Sequence, residues 1–171
     1  MSIAAMIISL PDTQKLLPAV PKLIAKPFVY MPFALQQKLL THLLQQAFSE
    51  TLADGDCEFL QGSWLKVAIT DLNISWLFGC GEKNEILIKK NGSADVTIEG
   101  SLNSFILLAA RKEDPDTLFF QRQLTIGGDT ELGLQVKNLL DNMELDVLPP
   151  IMNLSIRCGA EYISLFSKNE F

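Results

Sequence analysis

The segment LTIGGDTE, residues 124–131, has the residue types of a phosphate-binding turn. An apolar run, two glycines and a helical pattern follow one another there, and a helix N-terminus offers free N–H groups to an anion. The segment contains neither GxGxxG nor GxxxxGK[ST], and the acidic Asp129 and Glu131 would compete with a phosphate for the helix N-terminus. We therefore expect a structural turn, in which Gly127 or Gly128 has a positive φ and Asp129 caps the helix.

His42, the only histidine, lies in a helical pattern with no cysteine, aspartate or second histidine at metal-ligand spacing. It is predicted to be an ordinary residue of a helix surface. The segment ADGDCE at residues 53–58 resembles a fragment of a calcium loop, but the remaining ligand positions are missing. A turn is the better interpretation, and the sequence predicts no metal site.

Cys57, Cys80 and Cys158 are far apart in the sequence. An odd number of cysteines without CxxC spacing is typical of reduced thiols in a cytoplasmic protein rather than of a disulfide scaffold or a zinc site. Acyl transfer would need a nucleophile beside a base, and hydrolysis would need paired carboxylates or a set of metal ligands. Isolated cysteines and one histidine do not supply these groups, so we predict that the protein is not an enzyme and has no cofactor.

The composition is that of one apolar domain. The chain has 171 residues, of which 48% are hydrophobic, and its mean hydropathy is +0.21. No apolar run approaches the roughly 18 residues that a membrane span needs. The first ten residues, MSIAAMIISL, lack a basic start and a small-residue cleavage site, so no signal peptide is expected. We expect a cytoplasmic protein with one sizeable core.

The charge is distributed unevenly along the chain. Residues 1–49 carry four lysines and one aspartate (net +3), whereas residues 50–171 carry ten basic and nineteen acidic groups (net −9). An acidic body argues against nucleic acid as a partner, because phosphate contacts need clustered lysines and arginines. The basic front of the chain fits a peripheral contact with the anionic inner surface of a membrane.

Residues 11–32 contain five of the eight prolines, so only short helical pieces are expected there. The apolar residues between the prolines indicate packing rather than a disordered linker. Residues 1–32 are therefore interpreted as a proline-rich amphipathic segment. Either it covers the mouth of a cavity, with Lys15, Lys22 and Lys26 near lipid, or it completes the core of the domain with its lysines in solvent.

A helix is predicted from Phe33 to Leu52, with Leu35, Leu39 and Leu43 on its buried side and the glutamines on its other side. The segments WLKVAIT, DLNISWLF, EILIKK and ADVTIEG then alternate apolar and polar residues. Their short connections indicate an antiparallel meander with one apolar face. Such a face has to be covered by helices.

Helical segments follow the strands. SLNSFILLAARK is apolar nearly all round, which is typical of a buried helix. Asp114 and Pro115 are a favourable N-cap and first position for a second, short helix. QLTIGG is predicted to be the last strand, and a helix runs from Glu131 to Met143. Two prolines at 149 and 150 separate a C-terminal helix from it.

The segment ARKEDPDTLFFQRQLTIGGDTELGLQVKNLLD, residues 110–141, resembles the signature of the sterol carrier protein type 2 family. In that family a helix, a short helix, a strand ending in Gly-Asp and an amphipathic helix close the fold. With EFLQGSWLKVAITDLNISW, residues 58–76, the chain is similar to a subfamily of bacterial lipid carriers, the accessory factors of oxygen-independent ubiquinone biosynthesis. The resemblance covers residues 30–146 and is most specific over residues 109–141.

The resemblance implies an α+β fold, in which helices cover a five-stranded, largely antiparallel sheet around an apolar lipid cavity. It places the lipid-binding domain at residues 33–148, and residues 149–171 would be a helical tail that packs on the domain. It also implies a non-catalytic accessory protein that binds the isoprenoid chain of ubiquinone intermediates. Iron–sulfur hydroxylases of the same pathway would be its protein partners.

The cavity is expected to be lined by residues from the closing helices and from the most regular strand. Within a sterol carrier fold, the candidate lipid-binding residues are Trp76, Phe78, Phe105, Leu108, Phe119, Phe120, Leu139 and Met143. The sequence leaves two other functions open. One is a general carrier of lipids, fatty acyl chains or sterol-like molecules, and the other is a protein-interaction module without a ligand.

Overall fold

A computed structural model of the chain describes residues 20–55, 57–142 and 150–167. Within these ranges lie the helices α1 (Val20–Val29), α2 (Phe33–Ala47), α3 (Ser49–Ala53), α4 (Leu102–Ala109), α5 (Pro115–Phe120), α6 (Thr130–Asp141) and α7 (Pro150–Ser167). The strands are β1 (Leu65–Ile69), β2 (Ile74–Cys80), β3 (Ile86–Lys89), β4 (Val96–Gly100) and β5 (Leu124–Gly128). A 3₁₀ turn, Glu58–Leu60, precedes β1.

The five strands form one sheet in the order β3-β2-β1-β4-β5. β1 and β4 are parallel and the other three neighbouring pairs are antiparallel, so the mixed fold with a mostly antiparallel sheet is confirmed. The expected meander is wrong for β4, which crosses over and pairs with β1 instead of β3. The connection at residues 90–95 therefore lies across the sheet, where a Cβ at Gly92 would be 3.3 Å from Leu77. This crossing helps to bury Leu77, which is 3% exposed.

The alternation predicted for the strands is confirmed by the register. Leu65 pairs with Phe78 and with Val96, and Ile98 pairs with Ile126, so these side chains share one face of the sheet. This inner face also carries the other apolar positions of the pattern: Val67, Ile69, Ile74, Trp76, Cys80, Ile86, Ile88 and Leu124. The sheet thus presents one continuous apolar surface to the helices.

Each of the three helices that cover the inner face begins with an N-cap residue. The side chains of Ser101, Asp114 and Asp129 accept hydrogen bonds from backbone N–H groups in the first turns of α4, α5 and α6. The predicted start of α5 at Asp114 and Pro115 is confirmed. α6 contacts β4 and β5, and α5 contacts β5, so these helices cover the β4–β5 side of the sheet.

The single helix expected from residue 33 to residue 52 is wrong at Phe48, where the backbone leaves helical geometry with φ −114° and ψ 22°. α2 ends at Ala47 and α3 starts at Ser49. The break turns the Phe48 side chain inward, where it is 7% exposed and packs with Ala47, Leu43 and Ile86. Burial of this aromatic ring is the physical reason for the interruption.

α7 packs along α4 through a small cluster of Ala160, Ile163, Ile106 and Leu107. This contact is of the kind expected for the C-terminal tail. The domain boundaries drawn at residue 32 and at residue 149 remain predictions.

Candidate functional site

The glycine turn at the end of β5 is a structural turn, as predicted. Gly128 has a φ of +99°, and a Cβ at this position would lie 2.2 Å from the carbonyl oxygen of Asp95. Asp129 donates its backbone N–H to the same oxygen at 2.9 Å, and its side chain accepts from the N–H of Leu132 at 2.9 Å. The N-terminus of α6 is therefore capped by a carboxylate of the chain itself, which repels a phosphate from this position.

The other candidate chemical groups lie in different parts of the fold, apart from Cys57 and Cys80, which belong to one core cluster. His42 is exposed on α2, Cys57 and Cys80 are buried, and Cys158 is exposed on α7. Burial, together with the nearby Glu85 and Glu58, raises the pKa of the Cys80 thiol, which keeps it protonated and poorly nucleophilic. Within residues 20–55, 57–142 and 150–167, no group of three histidine, cysteine, aspartate or glutamate side chains is placed to hold a metal ion.

Nine apolar side chains that pack against one core group are only partly buried: Leu52, Phe59, Val67, Phe78, Phe105, Phe119, Leu132, Leu139 and Leu140. We give the name half-buried cluster to five of these nine: Val67, Phe78, Phe105, Phe119 and Leu139. Val67 lies in the middle of β1, the central strand, and yet it keeps accessible surface while its neighbour Ile98 is 1% exposed. A residue at the centre of a covered sheet stays accessible only if the covering helices leave space above it.

The half-buried cluster contains four of the eight predicted lining residues. Leu108 is buried beside it, in contact with Phe105 and Phe119 through a neighbouring cluster. Trp76 is buried on the same face of β2. The structure therefore places six of the eight on or above one face of the sheet.

Phe120 and Met143 are not part of this group. Phe120 is 91% exposed, because α5 directs Leu118 and Phe119 inward and leaves the next position in solvent. Its assignment to the lining is corrected on this ground. Met143 lies outside the described residues.

Trp76 marks the end of the inner face that α1 and α2 cover. Its indole N–H donates to Oε1 of Gln36 at 3.0 Å, and its ring lies 5.9 Å from the ring of Phe28, tilted by 52°. The amide nitrogen of Gln36 donates in turn to the carbonyls of Phe28, at 3.0 Å, and Met31, at 2.9 Å. One buried glutamine thus joins α1, α2 and β2.

The orientation predicted for α2 is therefore wrong over its first half. Gln36 is 8% exposed, whereas Leu35 and Leu39 are 53% and 40% exposed. The physical reason is that Gln36 donates to the carbonyls of Phe28, Val29 and Met31, at and just after the end of α1, which an apolar side chain cannot do. The side-chain amide of Gln37 also donates to a backbone carbonyl, that of Ile88 in β3, at 3.0 Å. A glutamine pair directly after a proline-broken helix is the signal that could have indicated this arrangement.

The inversion of α2 exposes a surface that we call the α1–α2 surface: Tyr30, Leu35 and Leu39, with the exposed Lys26 and Lys38 beside them in the sequence. Tyr30 is 83% exposed. The sequence has no acidic residue from 13 to 49. Apolar groups and lysines in a segment without acidic residues make this surface amphipathic and basic. Lys15 lies outside the described residues, as do all residues up to 19.

A surface pocket of about 460 Å³ lies beside the turn between β2 and β3. Trp64, Gly79, Glu82, Glu85 and Leu87 are among its lining residues, and none of the eight predicted residues contributes to it. The ammonium group of Lys89 lies 3.8 Å from the centre of the Trp64 ring. This open and partly charged pocket is separate from the half-buried cluster.

No helix in the described part of the chain is both long and apolar enough to cross a membrane.

Residues 40–141 match the model of the SCP-2 sterol transfer family. The chain is 40% identical over 143 residues to the ubiquinone biosynthesis accessory factor UbiT of Escherichia coli strain K12, and the same values hold for UbiT of Escherichia coli O157:H7. The matched region is 84% of this chain and 82% of either relative.

A solved structure described as a UbiJ-SCP2 ubiquinone synthesis protein has a similar fold. It superimposes with a TM-score of 0.51 and 22% sequence identity. The superposition covers 65% of this chain and 93% of the other. This similarity concerns the arrangement of sheet and helices.

Proposed function

The chain belongs to the SCP-2 sterol transfer family, and on this basis we propose that it is a non-catalytic lipid-binding accessory protein of ubiquinone biosynthesis. The observation that carries the proposal is the 40% identity to UbiT, which extends over 84% of this chain. The finer part of the proposal is that the bound lipid is an isoprenoid quinone intermediate. We also propose that the pathway is the oxygen-independent one, in which iron–sulfur hydroxylases act on the ring of the bound intermediate.

The half-buried cluster supports a site for an isoprenoid chain. Its five members are all hydrocarbon side chains, and Leu108 and Trp76 extend the apolar surface on either side. Removing about ten methylene groups of a ligand from water contributes roughly 8 kcal/mol, which corresponds to micromolar affinity. A polyprenyl tail offers more carbon than this, so an apolar space is sufficient for binding without charged groups.

The α1–α2 surface supports a role in loading the lipid from a membrane. α1 and α2 cover the Trp76 end of the inner face. Tyr30, directly after α1, and Leu35 and Leu39 on α2 are exposed on the outside. Each lysine near an anionic bilayer contributes about 1 kcal/mol, and apolar side chains add to this by entering the headgroup region. We propose that the cavity opens at this end, which places the membrane contact next to its entrance.

A space-filling substitution tests the site. Val67→Phe adds a ring at the centre of the inner face, and Thr97→Phe adds the same ring to the opposite face of the neighbouring strand. If there is space above Val67, the first variant keeps its stability and loses at least about tenfold in affinity for a ubiquinone analogue. The second variant should bind like the unmodified protein. A Val67→Phe variant that is strongly destabilised would indicate a solid core and would contradict the proposed site.

Extraction identifies the lipid itself. The protein, purified from bacteria grown without oxygen, is extracted with organic solvent, and the extract is analysed by mass spectrometry. We expect isoprenoid quinones or their precursors in a molar amount close to that of the protein. Fatty acids or phospholipids alone would favour a general lipid carrier. An empty protein that takes up no quinone or polyprenol would favour an interaction module without a ligand.

A further inference from the structure

The outer edge of β5 lacks the features that usually prevent an edge strand from pairing with another strand. β5 is the last strand of the sheet, and Thr125, Ile126, Gly127 and Gly128 are all exposed. Open edges usually carry lysines, prolines or bulges that prevent pairing with another strand. The sequence of β5, LTIGG, contains no charge and no proline. The opposite edge, β3, ends in Lys89 and is contacted by α2.

The hydrogen-bonding register shows which groups are available at this edge. The backbone N–H of Asp129 donates to Asp95 at 2.9 Å, so the residues with hydrogen-bonded partners on β4 are Thr125, Gly127 and Asp129. By alternation, the N–H and C=O of Ile126 point away from β4, to the open side. Among the strands that the structure describes, none pairs with this side of β5, and Ile126 is the centre of that hydrogen-bonding edge.

Three exposed apolar side chains lie on β5 or on the helices that contact it. Ile126 is 40% exposed, Leu134 on α6 is 57% exposed, and Phe120 on α5 is 91% exposed. Both helices contact β5, and a Cβ at Gly133 would lie 3.3 Å from Cδ1 of Ile126. Single exposed apolar residues are common, but three around an unprotected strand edge are typical of a protein interface.

The charges at the two ends of β5 identify the partner. Arg122 precedes the strand, and Asp129 and Glu131 follow it; all three are exposed. When two copies of β5 pair antiparallel about Ile126, the Arg122 end of each lies beside the Asp129–Glu131 end of the other. A parallel arrangement would place like charges together. The edge is therefore complementary to itself in one orientation only.

We propose that the protein forms a symmetric dimer through antiparallel pairing of β5 with β5 of a second copy. Ile126 faces Ile126 across the twofold axis, and Leu124 faces Gly128. The two sheets join into one continuous sheet, and the exposed Leu134 and Phe120 are brought close to the interface. β5 lies at the edge opposite β3, so the dimer leaves both α1–α2 surfaces free.

A charge exchange tests the pairing. Sedimentation equilibrium of the full chain, from about 1 to 100 µM, should show a monomer–dimer equilibrium. Arg122→Glu places like charges together and should raise the dissociation constant at least about tenfold. The double variant Arg122→Glu/Glu131→Arg restores opposite charges and should return to within about threefold of the unmodified protein. Lys83→Glu, in the exposed turn between β2 and β3, is the matched control and should have no effect.

Amide exchange measured by NMR locates the interface. The N–H of Ile126 should gain protection as the protein concentration rises, whereas Thr125 and Gly127, already bonded to β4, should change little. A protein that stays monomeric over the whole range would overturn the proposal. A dimer in which Arg122→Glu behaves like Lys83→Glu and Ile126 stays unprotected would do the same, because it would use another surface. Protection of Ile126 only after another protein is added would assign the edge to that protein instead.

Discussion

Trp76 donates its indole N–H to Oε1 of Gln36 at 3.0 Å, and this bond joins residues that are 40 positions apart in the sequence. The same glutamine amide donates to the carbonyls of Phe28 and Met31. The covering helices α1 and α2 are therefore attached to the inner face of the sheet at one buried polar point. With a further bond to the carbonyl of Val29 at 3.4 Å, four hydrogen bonds depend on this side chain.

Replacing Gln36 should loosen this cover. Gln36→Leu removes the acceptor of the Trp76 N–H and the side-chain donor to the carbonyls of Phe28, Val29 and Met31, so we expect the free energy of unfolding to fall by about 1–3 kcal/mol. Gln45→Leu, at an exposed position of the same helix, should change it by less than about 0.5 kcal/mol. Urea unfolding followed by tryptophan fluorescence measures both. Equal stability of the two variants would show that the bonds of Gln36 contribute nothing to the fold.

The two glycines of the β5–α6 turn should respond differently to the same change. Gly128→Ala adds a Cβ at a positive φ, 2.2 Å from a backbone oxygen, and should destabilise the protein by about 2 kcal/mol or more. Gly127→Ala meets no atom within 4 Å and should be nearly neutral. Thermal unfolding of both variants checks this. Neither change should alter lipid affinity selectively, and a loss of binding without a loss of stability would give the turn a direct role in the site.

Asp114 makes the start of α5 sensitive to acid. Hydrogen bonds from the side chain and backbone of Thr117 lower the pKa of the Asp114 carboxyl below its ordinary value of 3.8. A lowered pKa in the folded protein adds stability that is complete above the ordinary pKa and is lost as the pH falls through the lowered value. The stability difference between the unmodified protein and Asp114→Asn should therefore persist at neutral pH and disappear in acid.

Urea unfolding as a function of pH measures this difference. Asp54→Asn, which changes another exposed carboxylate, at the end of α3, is the matched control. If the stability difference between the unmodified protein and Asp114→Asn grew on acidification, it would have the wrong sign. That result would contradict a stabilising role for the ionised Asp114 carboxylate.

The α1–α2 surface should bind anionic vesicles at low salt. Leu35→Ser/Leu39→Ser removes its exposed apolar groups, and Lys26→Ala/Lys38→Ala removes its charges; each variant should float with the vesicles less than the unmodified protein. High salt should weaken binding of the unmodified protein, because it screens the lysines. Leu154→Ser, which changes a leucine on α7 that is 62% exposed, should float normally.

The substitution Lys15→Ala/Lys22→Ala/Lys26→Ala tests the same contact for the front segment named from the sequence. Flotation that is equal in every variant, or absent in all, would leave the α1–α2 surface without a role at membranes.

Much of the sheet and its caps could be predicted from the sequence, because these features depend on near neighbours. The alternation in β2 and the caps at Asp114 and Asp129 are read from residues a few positions apart. The pairing of β4 with β1 could not be predicted in this way, since a short connection favours a hairpin unless a central position buries more apolar surface. The orientation of α2 was predicted wrongly because apolarity alone ignores the backbone carbonyls at the end of α1, to which Gln36 donates.

The candidate site also contains some residues that could be assigned from the sequence and others that could not. Residues that alternate on β2, such as Trp76 and Phe78, could be assigned to the inner face from the sequence. Phe120 could not be separated from Phe119, because the length of α5 and its position against β5 decide which of two adjacent aromatic rings is buried. Space above Val67 depends on how closely the helices pack, which no local pattern determines.

The central claim is that an isoprenoid quinone binds against the inner face, and tryptophan quenching tests it most directly. Trp76 lies on the inner face, whereas Trp64 lies outside it with Lys89 over its ring. During titration with a short-chain ubiquinone analogue, Trp64→Phe should retain saturable quenching at micromolar concentration, because only Trp76 remains. Trp76→Phe, in a folded protein, should lose most of it. Binding that quenches neither tryptophan, or that quenches Trp64 alone, would contradict the placement of the lipid at the inner face.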